Sequence, residues 1–387
     1  MRAVHRRLLL AGAVATSLGA AAALPVLADD SSSLVKVTAA QGTPVPGQYI
    51  VTLKPGASAD AAAKNVRAAG VKRFDGVLNG FAAKLSGDQL NKLRNDRRVA
   101  AIEQDQVVRA NTTQKYPLPW GLDRIDQRSR KLSKTYTYKS TGSGVSAYVI
   151  DSGIDVTHPD FGGRASVAWA ASRFGGNGGD CNGHGTHVAG ILGSKTYGAA
   201  KGVKLRAVRV LDCDGAGSVS DVIAAVNWVR THAAKPAVAN LSLGGPKSSA
   251  LNTAVTNLSK SGVFVSVAAG NDNKDACKFS PSSAGWVMAV GATTTYDNRA
   301  TWSNWGKCVD INAPGYGVWS TWPGGNAQKL SGTSMATPYV SGVAALYLST
   351  HKTANFPTVQ KWLNDNSTHS LKRLRSQANR LLYKGTL

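Results

Sequence analysis

The stretch that decides the fold reads Leu330-Ser331-Gly332-Thr333-Ser334-Met335-Ala336-Thr337-Pro338, and an apolar, alanine-rich segment follows it over 340–348. This pattern predicts a tight turn that leads into a buried helix, with Ser334 in the first turn. Backbone N–H groups at a helix start lack intrahelical partners, and the helix dipole favours negative charge there. A serine hydroxyl still needs a base and an orienting acid before it can attack. Without them, Ser334 would only cap the helix.

The first 28 residues have the pattern of a secretory signal peptide. Three arginines precede an apolar run over 8–27, and Val26-Leu27-Ala28 resembles a cleavage site before Asp29. A membrane anchor is the alternative, but glycine, serine and threonine dilute the run and no second apolar segment follows. We therefore expect a secreted, extracellular protein with no membrane segment in its mature form.

The formal net charge is +23, and Glu103 is the only glutamate among 387 residues. A nucleic-acid-binding protein is one interpretation, and it predicts salt-sensitive DNA affinity. The basic residues are scattered, however, and no nucleic-acid-binding motif is present. We therefore expect no nucleic-acid partner, but a basic surface that favours anionic substrates or cell envelopes.

The region after the signal peptide predicts a small α+β domain. Residues 29–45 have the composition of a linker, and we assign 46–110 to the domain itself. The expected strands and helices alternate at 48–54, 57–69, 80–85, 86–96 and 99–108. The polar stretch that follows, 109–113, is a place where a protease could cut.

The remaining residues, 113–387, predict a mostly parallel sheet with helices on both faces, an α/β fold. Short and almost continuously apolar runs occur at 145–150, 205–211, 237–243, 263–268 and 287–290, with helical patterns at 220–234 and 250–261. Strands that are buried on both faces have this composition. Chemistry in such sheets gathers in loops at the carboxyl ends of the strands.

Three of these loops carry polar residues that could serve Ser334. Asp151 directly follows one apolar run, His184 opens an apolar helix among glycines, and Asn271 follows another run. An acid, a base and an amide donor to an oxyanion complete an acyl-transfer site around a nucleophile. Taken alone, Asp151 could be a simple cap. His187 is expected to be a buried structural histidine, and the zinc motif HExxH is not matched.

The stretches 151–153 (Asp-Ser-Gly), 184–190 (His-Gly-Thr-His-Val-Ala-Gly) and 332–338 (Gly-Thr-Ser-Met-Ala-Thr-Pro) resemble the signatures of the subtilisin family of serine proteases, most closely its proteinase K and aqualysin branch. The order Asp, His, Ser is that of subtilisin, whereas an α/β-hydrolase has the order Ser, acid, His. The resemblance runs from about Trp120 to Leu382. It implies a precursor whose domain at 46–110 is a propeptide, a folding chaperone and inhibitor that self-cleavage near 111–114 removes.

The resemblance also implies a role for each candidate residue in peptide hydrolysis. Asp151 would orient and stabilise His184, which would act first as general base and then as general acid. Ser334 would attack the scissile carbonyl, and Asn271 would complete the oxyanion hole. A catalytically silent fold used for binding is the rival interpretation, and the presence of all four residues argues against it.

The substrate is implied to lie between two strands, with a pocket for the side chain before the scissile bond (P1). The implied residues are Gly217, Ser218 and Val219 on one edge, Ser242, Leu243 and Gly244 on the other, and Ala268, Ala269 and Gly270 in the pocket. Binding through the main chain predicts broad specificity. The small pocket residues predict that large apolar or aromatic P1 side chains fit. We expect protein and peptide substrates and a monomeric enzyme.

The four cysteines are even in number, which favours disulfides in an exported protein. Zinc is the alternative, although no CxxC spacing occurs. The resemblance implies pairs at matching places, which are Cys181 with Cys213 and Cys277 with Cys308.

Structural calcium is the one cofactor that the resemblance implies. Asp310, with the carbonyl groups of Gly285 and Val287, falls where the relatives bind calcium, although a capping aspartate explains Asp310 equally well. A second and weaker candidate site consists of Asp123, Asp126 and Gln127.

Overall fold

The computed structural model describes residues 34–74, 76–110, 113–114 and 119–387. The signal peptide expected at 1–28 lies outside these residues. Within the described ranges, no helix combines the length and the apolar character needed to cross a membrane.

The amino-terminal unit, which we call the prosegment (residues 34–110), is a sheet with two helices packed on it. Its elements are β1 (Val37–Thr38), β2 (Pro44–Leu53), α1 (Ala59–Asn65), β3 (Ala69–Arg73), β4 (Gly80–Lys84), α2 (Gly87–Arg94) and β5 (Val99–Ala110). The strand order is β5-β2-β4-β3, with antiparallel neighbours. Val51, Phe81, Leu93 and Ile102 are buried in its own core. The α+β domain predicted from the sequence is therefore present.

Two details of the prosegment differ from the sequence prediction. The expected linker at 29–45 is wrong for its described part, because Val37–Thr38 pairs in parallel with β5 and β2 already begins at Pro44. The helix expected at 57–69 ends at Asn65, and β3 begins at Ala69. Arg67 and Gly70 adopt positive φ angles of 53° and 62°, a conformation that a helix cannot continue through.

The larger region, which we call the catalytic region (residues 119–387), contains most of the helices and strands. With the short strand before it, its elements are β6 (Thr113–Gln114), α3 (Trp120–Asp126), β7 (Ser146–Asp151), β8 (Ala165–Ala170), α4 (His184–Gly193), β9 (Lys204–Arg209), β10 (Ala216–Ser218), α5 (Val219–His232), β11 (Ala237–Leu241), β12 (Leu243–Pro246), α6 (Ser249–Lys260), β13 (Val263–Ala268), β14 (Phe279–Ser280), β15 (Met288–Thr293), β16 (Ile311–Pro314), β17 (Val318–Trp322), β18 (Asn326–Ser331), α7 (Thr333–Thr350) and α8 (Phe356–Asn366). Short 3-10 turns occur at Pro159–Phe161, Ser172–Phe174 and Ala276–Lys278.

A parallel sheet of seven strands forms the centre of the described catalytic region, in the order β16-β15-β13-β11-β7-β9-β8. Helices α4, α7 and α8 bury their apolar residues in one core on this sheet, whereas α5 and α6 contribute to a second core. The predicted parallel sheet with helices on both faces is confirmed. Asp151 ends β7, the neighbour of the central strand β11, so it lies at the edge of the sheet where the carboxyl ends of the parallel strands meet.

Candidate active site

Asp151 and His184 form a buried hydrogen-bonded pair. His184 Nδ1 lies 2.7 Å from Asp151 Oδ1, and the two side chains are 1% and 0% exposed. His184 is the first residue of α4, which begins after Gly183. Gly183 has a φ of +100°, and a Cβ there would lie 2.3 Å from the ring of Trp322. Only glycine therefore suits this start, which points His184 at the end of β7.

The charged form of His184 is stabilised within the site. Burial of the imidazole opposes protonation, but the charge of Asp151 and its hydrogen bond, with a further contribution from Asp180, raise the pKa of His184 above 6.5. Among the described residues, none forms a hydrogen bond with His184 Nε2. This nitrogen is therefore the one that can accept a proton. His187 is fully buried, and its burial lowers its pKa to about 3, so it stays neutral.

Ser334 lies inside the first turn of α7 and does not cap it, because the N-cap is Gly332 and no side chain caps the helix. Its Oγ donates to the carbonyl oxygen of Ser242 at 2.9 Å. Pro338 has no N–H group, so the Ser334 carbonyl four residues earlier lacks its helical donor. The hydroxyl of Ser242 donates to that carbonyl instead, at 2.8 Å.

The structure brings these residues to the ends of neighbouring strands. Ser242 follows β11, which pairs with β7, the strand that ends at Asp151. The Ser334 hydroxyl is bonded to Ser242, just beyond the end of the strand next to β7, and not to His184.

Asn271 is held next to the start of α7 by Thr333. Its Oδ1 accepts from the N–H and the hydroxyl of Thr333, at 2.9 and 2.8 Å. Thr333 Oγ1 in turn accepts from the N–H of Gly270 at 3.1 Å. These bonds fix the orientation of the carboxamide, because they use its oxygen as the acceptor. Its amide nitrogen is the atom that acts as a donor. The sequence analysis did not single out Thr333, although it stands directly before Ser334.

Asp180 supports the loop that carries His184, and the sequence analysis missed it. Its Oδ1 accepts from Ser152 Oγ at 2.9 Å and from the N–H of Gly183 at 2.8 Å. Its Oδ2 accepts from the N–H and the hydroxyl of Thr186, at 2.8 and 2.6 Å. An aspartate just before a helix that starts at glycine is the signal that could have identified it.

The two disulfides join the pairs that the resemblance implies, Cys181 with Cys213 and Cys277 with Cys308. The first disulfide ties Cys181, which follows Asp180, to Cys213 in the loop between β9 and β10. Next to it, Asn182 Nδ2 donates to the carbonyl oxygen of Cys213 at 2.8 Å. The disulfide and this hydrogen bond both brace the segment that leads into His184.

A cleft next to Ser334 holds the last strand of the prosegment. β5 runs antiparallel between β10 and β12 of the catalytic region. The paired residues are Gly217 with Val108, Ser218 with Val107, Leu243 with Ala110 and Gly244 with Arg109. Two other residues expected to bind substrate lie directly beside these pairs: Val219 begins α5, and Ser242 precedes β12. An extended peptide backbone therefore occupies the place expected for the substrate.

The chain continues on the other side of Ser334. Thr113 pairs with Ser331 and Gln114 with Leu330, so β6 extends the hairpin of β17 and β18 as an antiparallel strand. Ser331 precedes Ser334 by three residues. The paired segments on both sides of residues 111–112 thus flank Ser334.

A pocket of about 290 Å³ opens beside β12. Its catalytic-region wall includes Ala268, Ala269 and Gly270 together with Leu243, Gly244, Gly245, Pro246, Asp272, Phe279, Ser280 and Ser282. Gly42, Thr43 and Val107 of the prosegment complete the lining. The small side chains at 268–270 leave this space open.

Two acidic residues on β5 anchor the prosegment to helix starts of the catalytic region. Glu103 accepts from the hydroxyls of Ser248 and Ser249 and from the N–H of Ala250, at 2.9, 2.6 and 2.8 Å, at the start of α6. Asp105 accepts from the N–H of Ser220 at 3.2 Å, at the start of α5. Glu103 lies 145 positions from Ser248 in the sequence.

The oxygen atoms of the candidate site at Asp310 are of the chemical type that binds calcium. The side chain accepts from the N–H of Ala289 at 2.8 Å, and burial raises its pKa to about 6. A cation nearby would favour the charged form. The carbonyl of Gly285 accepts from the hydroxyl of Thr256 at 2.7 Å and has a second lone pair. A carboxylate and carbonyl oxygens, such as those of Gly285 and Val287, are the oxygen ligands that calcium prefers.

The residues of the second candidate site do not fit a cation. Asp123 accepts from backbone N–H groups of 133–134, and Asp126 accepts from that of 137. Lys384 Nζ lies 3.1 Å from Asp126 Oδ1 and already supplies a positive charge. Gln127 Oε1 accepts from the N–H of residue 133 at 3.1 Å. Within the described ranges, no cluster of three or more His, Cys, Asp or Glu side chains is arranged for a metal ion.

Comparisons with known proteins find matches for both regions. Residues 142–381 match the Subtilase family, and residues 48–111 match Peptidase inhibitor I9. The chain is 53% identical over 285 residues to an extracellular serine proteinase of Thermus sp. (strain Rt41A), which covers 73% of this chain and 69% of that one. It is 44% identical over 323 residues to proteinase R of Parengyodontium album, which covers 80% and 81% of the two chains. The crystal structure of a cold adapted subtilisin-like serine proteinase has a TM-score of 0.68 and 46% identity, covering 69% of this chain and 98% of that one.

Proposed function

Because the chain belongs to the subtilase family of serine proteinases, we propose that it is a secreted endopeptidase with Asp151, His184 and Ser334 as its catalytic triad. The observation that carries the proposal is the buried hydrogen bond between His184 and Asp151 at the strand ends where Ser334 lies. This bond holds the imidazole with Nε2 as the acceptor. In the reaction, Nε2 takes the Ser334 proton as Oγ attacks the scissile carbonyl, and later gives it to the leaving amine.

Asn271 supplies a hydrogen bond to the oxyanion that forms during this attack. Its Oδ1 is already used by Thr333, so its amide nitrogen faces the reacting carbonyl. The start of α7 adds a favourable dipole at the same place. Donors that are fixed before the reaction stabilise the developing charge without reorganisation.

The substrate binds as an extended strand between β10 and β12, in the manner of β5. Main-chain pairing of this kind accepts many sequences. The pocket wall formed by Ala268, Ala269 and Gly270 receives the P1 side chain, and these small residues leave room for large apolar or aromatic side chains.

The prosegment is the first substrate of the enzyme and then its inhibitor. Residues 111 and 112 lie outside the described residues, but the pairing on both sides supports one scissile bond. The pairing of β5 with β12 reaches Ala110, opposite Leu243, and the pairing of β6 with β18 reaches Thr113, opposite Ser331. The cut therefore falls between these two paired segments, and we assign it to the central bond of the interval, Asn111–Thr112.

The role of calcium is structural. Asp310 and the carbonyl oxygens of Gly285 and Val287 would hold one ion, which would stabilise the loop before β15 by joining it to the segment before β16. Calcium takes no part in the chemical steps.

The test uses a chromogenic peptide with an aromatic P1 residue and a fluorophosphonate that labels reactive serines. We expect turnover that stops as the label forms on Ser334, and a mature amino terminus at Thr112 by intact mass. Purified Ser334→Ala precursor should remain uncut. Correctly processed protein without turnover would instead indicate a fold used only for binding.

A further inference from the structure

Tyr316 is a large aromatic residue that stands exposed beside the active site. It lies in the bend between β16 and β17, and 53% of the residue is exposed. Its backbone is fixed, because its N–H donates to Thr293 O at 3.2 Å and its carbonyl accepts from Trp120 Nε1 at 3.0 Å. A rigid backbone with an exposed ring is typical of a contact surface.

The two neighbours of Tyr316 are bonded to the segment that leads into Ser334. The carbonyl of Gly315 accepts from the N–H of Gly332 at 2.9 Å, and the N–H of Gly317 donates to Ser331 Oγ at 2.8 Å. A Cβ on Gly315 would lie 2.8 Å from Gly332 O, so this approach needs glycine. Tyr316 is therefore held level with Ser331 and Gly332.

Ser331 and Gly332 belong to the edge along which the leaving half of the substrate binds. Thr113, the second residue after the proposed scissile bond, pairs with Ser331. β18 lies between β17 and β6, so the strands on its two sides are about 9–10 Å apart. An aromatic side chain at position 316 is long enough to span part of this distance. A large substrate side chain spans the rest, whereas an alanine side chain does not.

We propose that Tyr316 determines specificity on the leaving-group side, by favouring a large apolar or aromatic side chain at the first or second residue after the scissile bond. This inference rests on the proposed protease function and extends it beyond the P1 pocket. The junction of the chain itself has threonine at positions 112 and 113. The new amino terminus therefore lacks the favoured side chain and competes weakly with substrates for this surface.

The test compares mature wild-type enzyme with Tyr316→Ala on internally quenched peptides that share one sequence before the scissile bond. After it, they carry Ala-Ala, Phe-Ala or Ala-Phe. Rates are normalised to active sites titrated with fluorophosphonate. We expect wild type to prefer one of the Phe peptides, and Tyr316→Ala to lower the Phe-to-Ala ratio of kcat/KM by about two- to tenfold, the range of an aromatic contact.

Two variants sharpen the result. Tyr316→Phe should keep the preference, because the ring and not the hydroxyl makes the contact. Tyr296→Ala removes another exposed tyrosine, 66% exposed and located next to Arg130, and should leave the ratio unchanged. An unchanged ratio in Tyr316→Ala would overturn the inference, while turnover of the Ala-Ala peptide by wild type would still support the protease function.

Discussion

The helices around the cleft begin in two different ways. α4 and α7 begin after glycine, which has no side chain to act as a cap, so Asp180 and Asn271 from other segments accept from N–H groups of their first turns. α5 and α6 begin after serines that themselves accept from backbone N–H groups of the first turn. α4 and α7, the helices that begin after glycine, carry His184 and Ser334. The starts of α5 and α6 donate hydrogen bonds to Asp105 and Glu103 of the prosegment. A glycine N-cap costs only about a few tenths of a kcal/mol relative to a serine N-cap. In this molecule, the helices whose own N-cap residue has no side chain are those that carry the candidate catalytic residues.

The largest effect should come from the loss of the Asn271 side-chain amide, which is bonded to the first residue of α7. Asn271→Leu removes the proposed oxyanion donor and should lower kcat by roughly 10²–10³-fold, the loss known for this donor in subtilisin itself. KM should change little, because the contact forms in the transition state. Steady-state kinetics with the chromogenic peptide measure both constants.

The matched control removes an amide from a helix that starts at serine. Asn252 lies in α6 and donates to Ser283 Oγ at 2.9 Å. Asn252→Leu should therefore leave kcat unchanged. If Asn271→Leu raised KM and left kcat intact, Asn271 would contact the substrate and not the oxyanion.

A smaller loss of kcat, on the order of tenfold, is expected for Thr333→Val, because Thr333 only positions Asn271. Thr333→Ser keeps the hydroxyl and should restore most of the activity. In an Asn271→Leu background, Thr333→Val should cost almost nothing more. Additive losses in the double variant would mean that Thr333 acts independently of Asn271.

The hydrogen bonds from the starts of α5 and α6 to Asp105 and Glu103 should determine how firmly the prosegment is held. In uncut Ser334→Ala precursor, Glu103→Gln should lower the free energy of unfolding by about 1–3 kcal/mol, since a buried carboxylate loses charged hydrogen bonds at α6. Urea unfolding, followed by circular dichroism, measures the change. An unchanged urea midpoint would show that apolar packing alone holds the prosegment.

Asp105→Asn in the same precursor should cost less than Glu103→Gln. Burial raises the pKa of Asp105, so the folded state binds the proton more tightly than the unfolded state. The stability linked to this group is present at low pH and is lost as the pH rises through the folded pKa. Parallel urea curves at acidic and neutral pH should show this dependence in the precursor with Asp105 and a weaker one in Asp105→Asn.

The smallest effect concerns the pH profile of the mature enzyme. Activity needs neutral His184, and the carboxylates of Asp151 and Asp180 raise the pKa of that histidine above 6.5 despite its burial. The acidic limb of kcat/KM should therefore lie above pH 6.5. Asp180→Asn removes one of these charges and should move the limb to lower pH. If the acidic limb of kcat/KM does not move in Asp180→Asn, Asp151 alone raises the pKa of His184.

The central strands and the pairing of Asp151 with His184 could be predicted from the sequence because they depend on local patterns at strand ends. Continuous apolar runs predict strands that are buried on both faces, and parallel strand ends bring Asp151 and Asn271 to the same edge of the sheet. The role of Glu103 could not be predicted, because its partner lies 145 positions away.

Other features escaped prediction because local patterns pointed elsewhere. The alanines after residue 57 favour helix, but α1 ends at Asn65, and the positive φ at Arg67 turns the chain toward β3. Thr333 and Asp180 act through hydrogen bonds to loops, and loop geometry has no periodicity to read. The position of the scissile bond could not be predicted from the sequence, because it depends on which residues of β5 and β6 pair with the catalytic region.

β5 serves two structures at once, since it is a strand of the prosegment sheet and also fills the cleft between β10 and β12. The first cleavage is therefore unimolecular, and its rate should not depend on protein concentration. After the cut, covalent linkage no longer keeps the two pieces together, and their separation depends on dilution. Because β5 also pairs with β2, release of the whole prosegment keeps its sheet intact, whereas withdrawal of β5 alone from the cleft would pull it out of that sheet. The enzyme thus begins to work at a moment set by the lifetime of a folded complex.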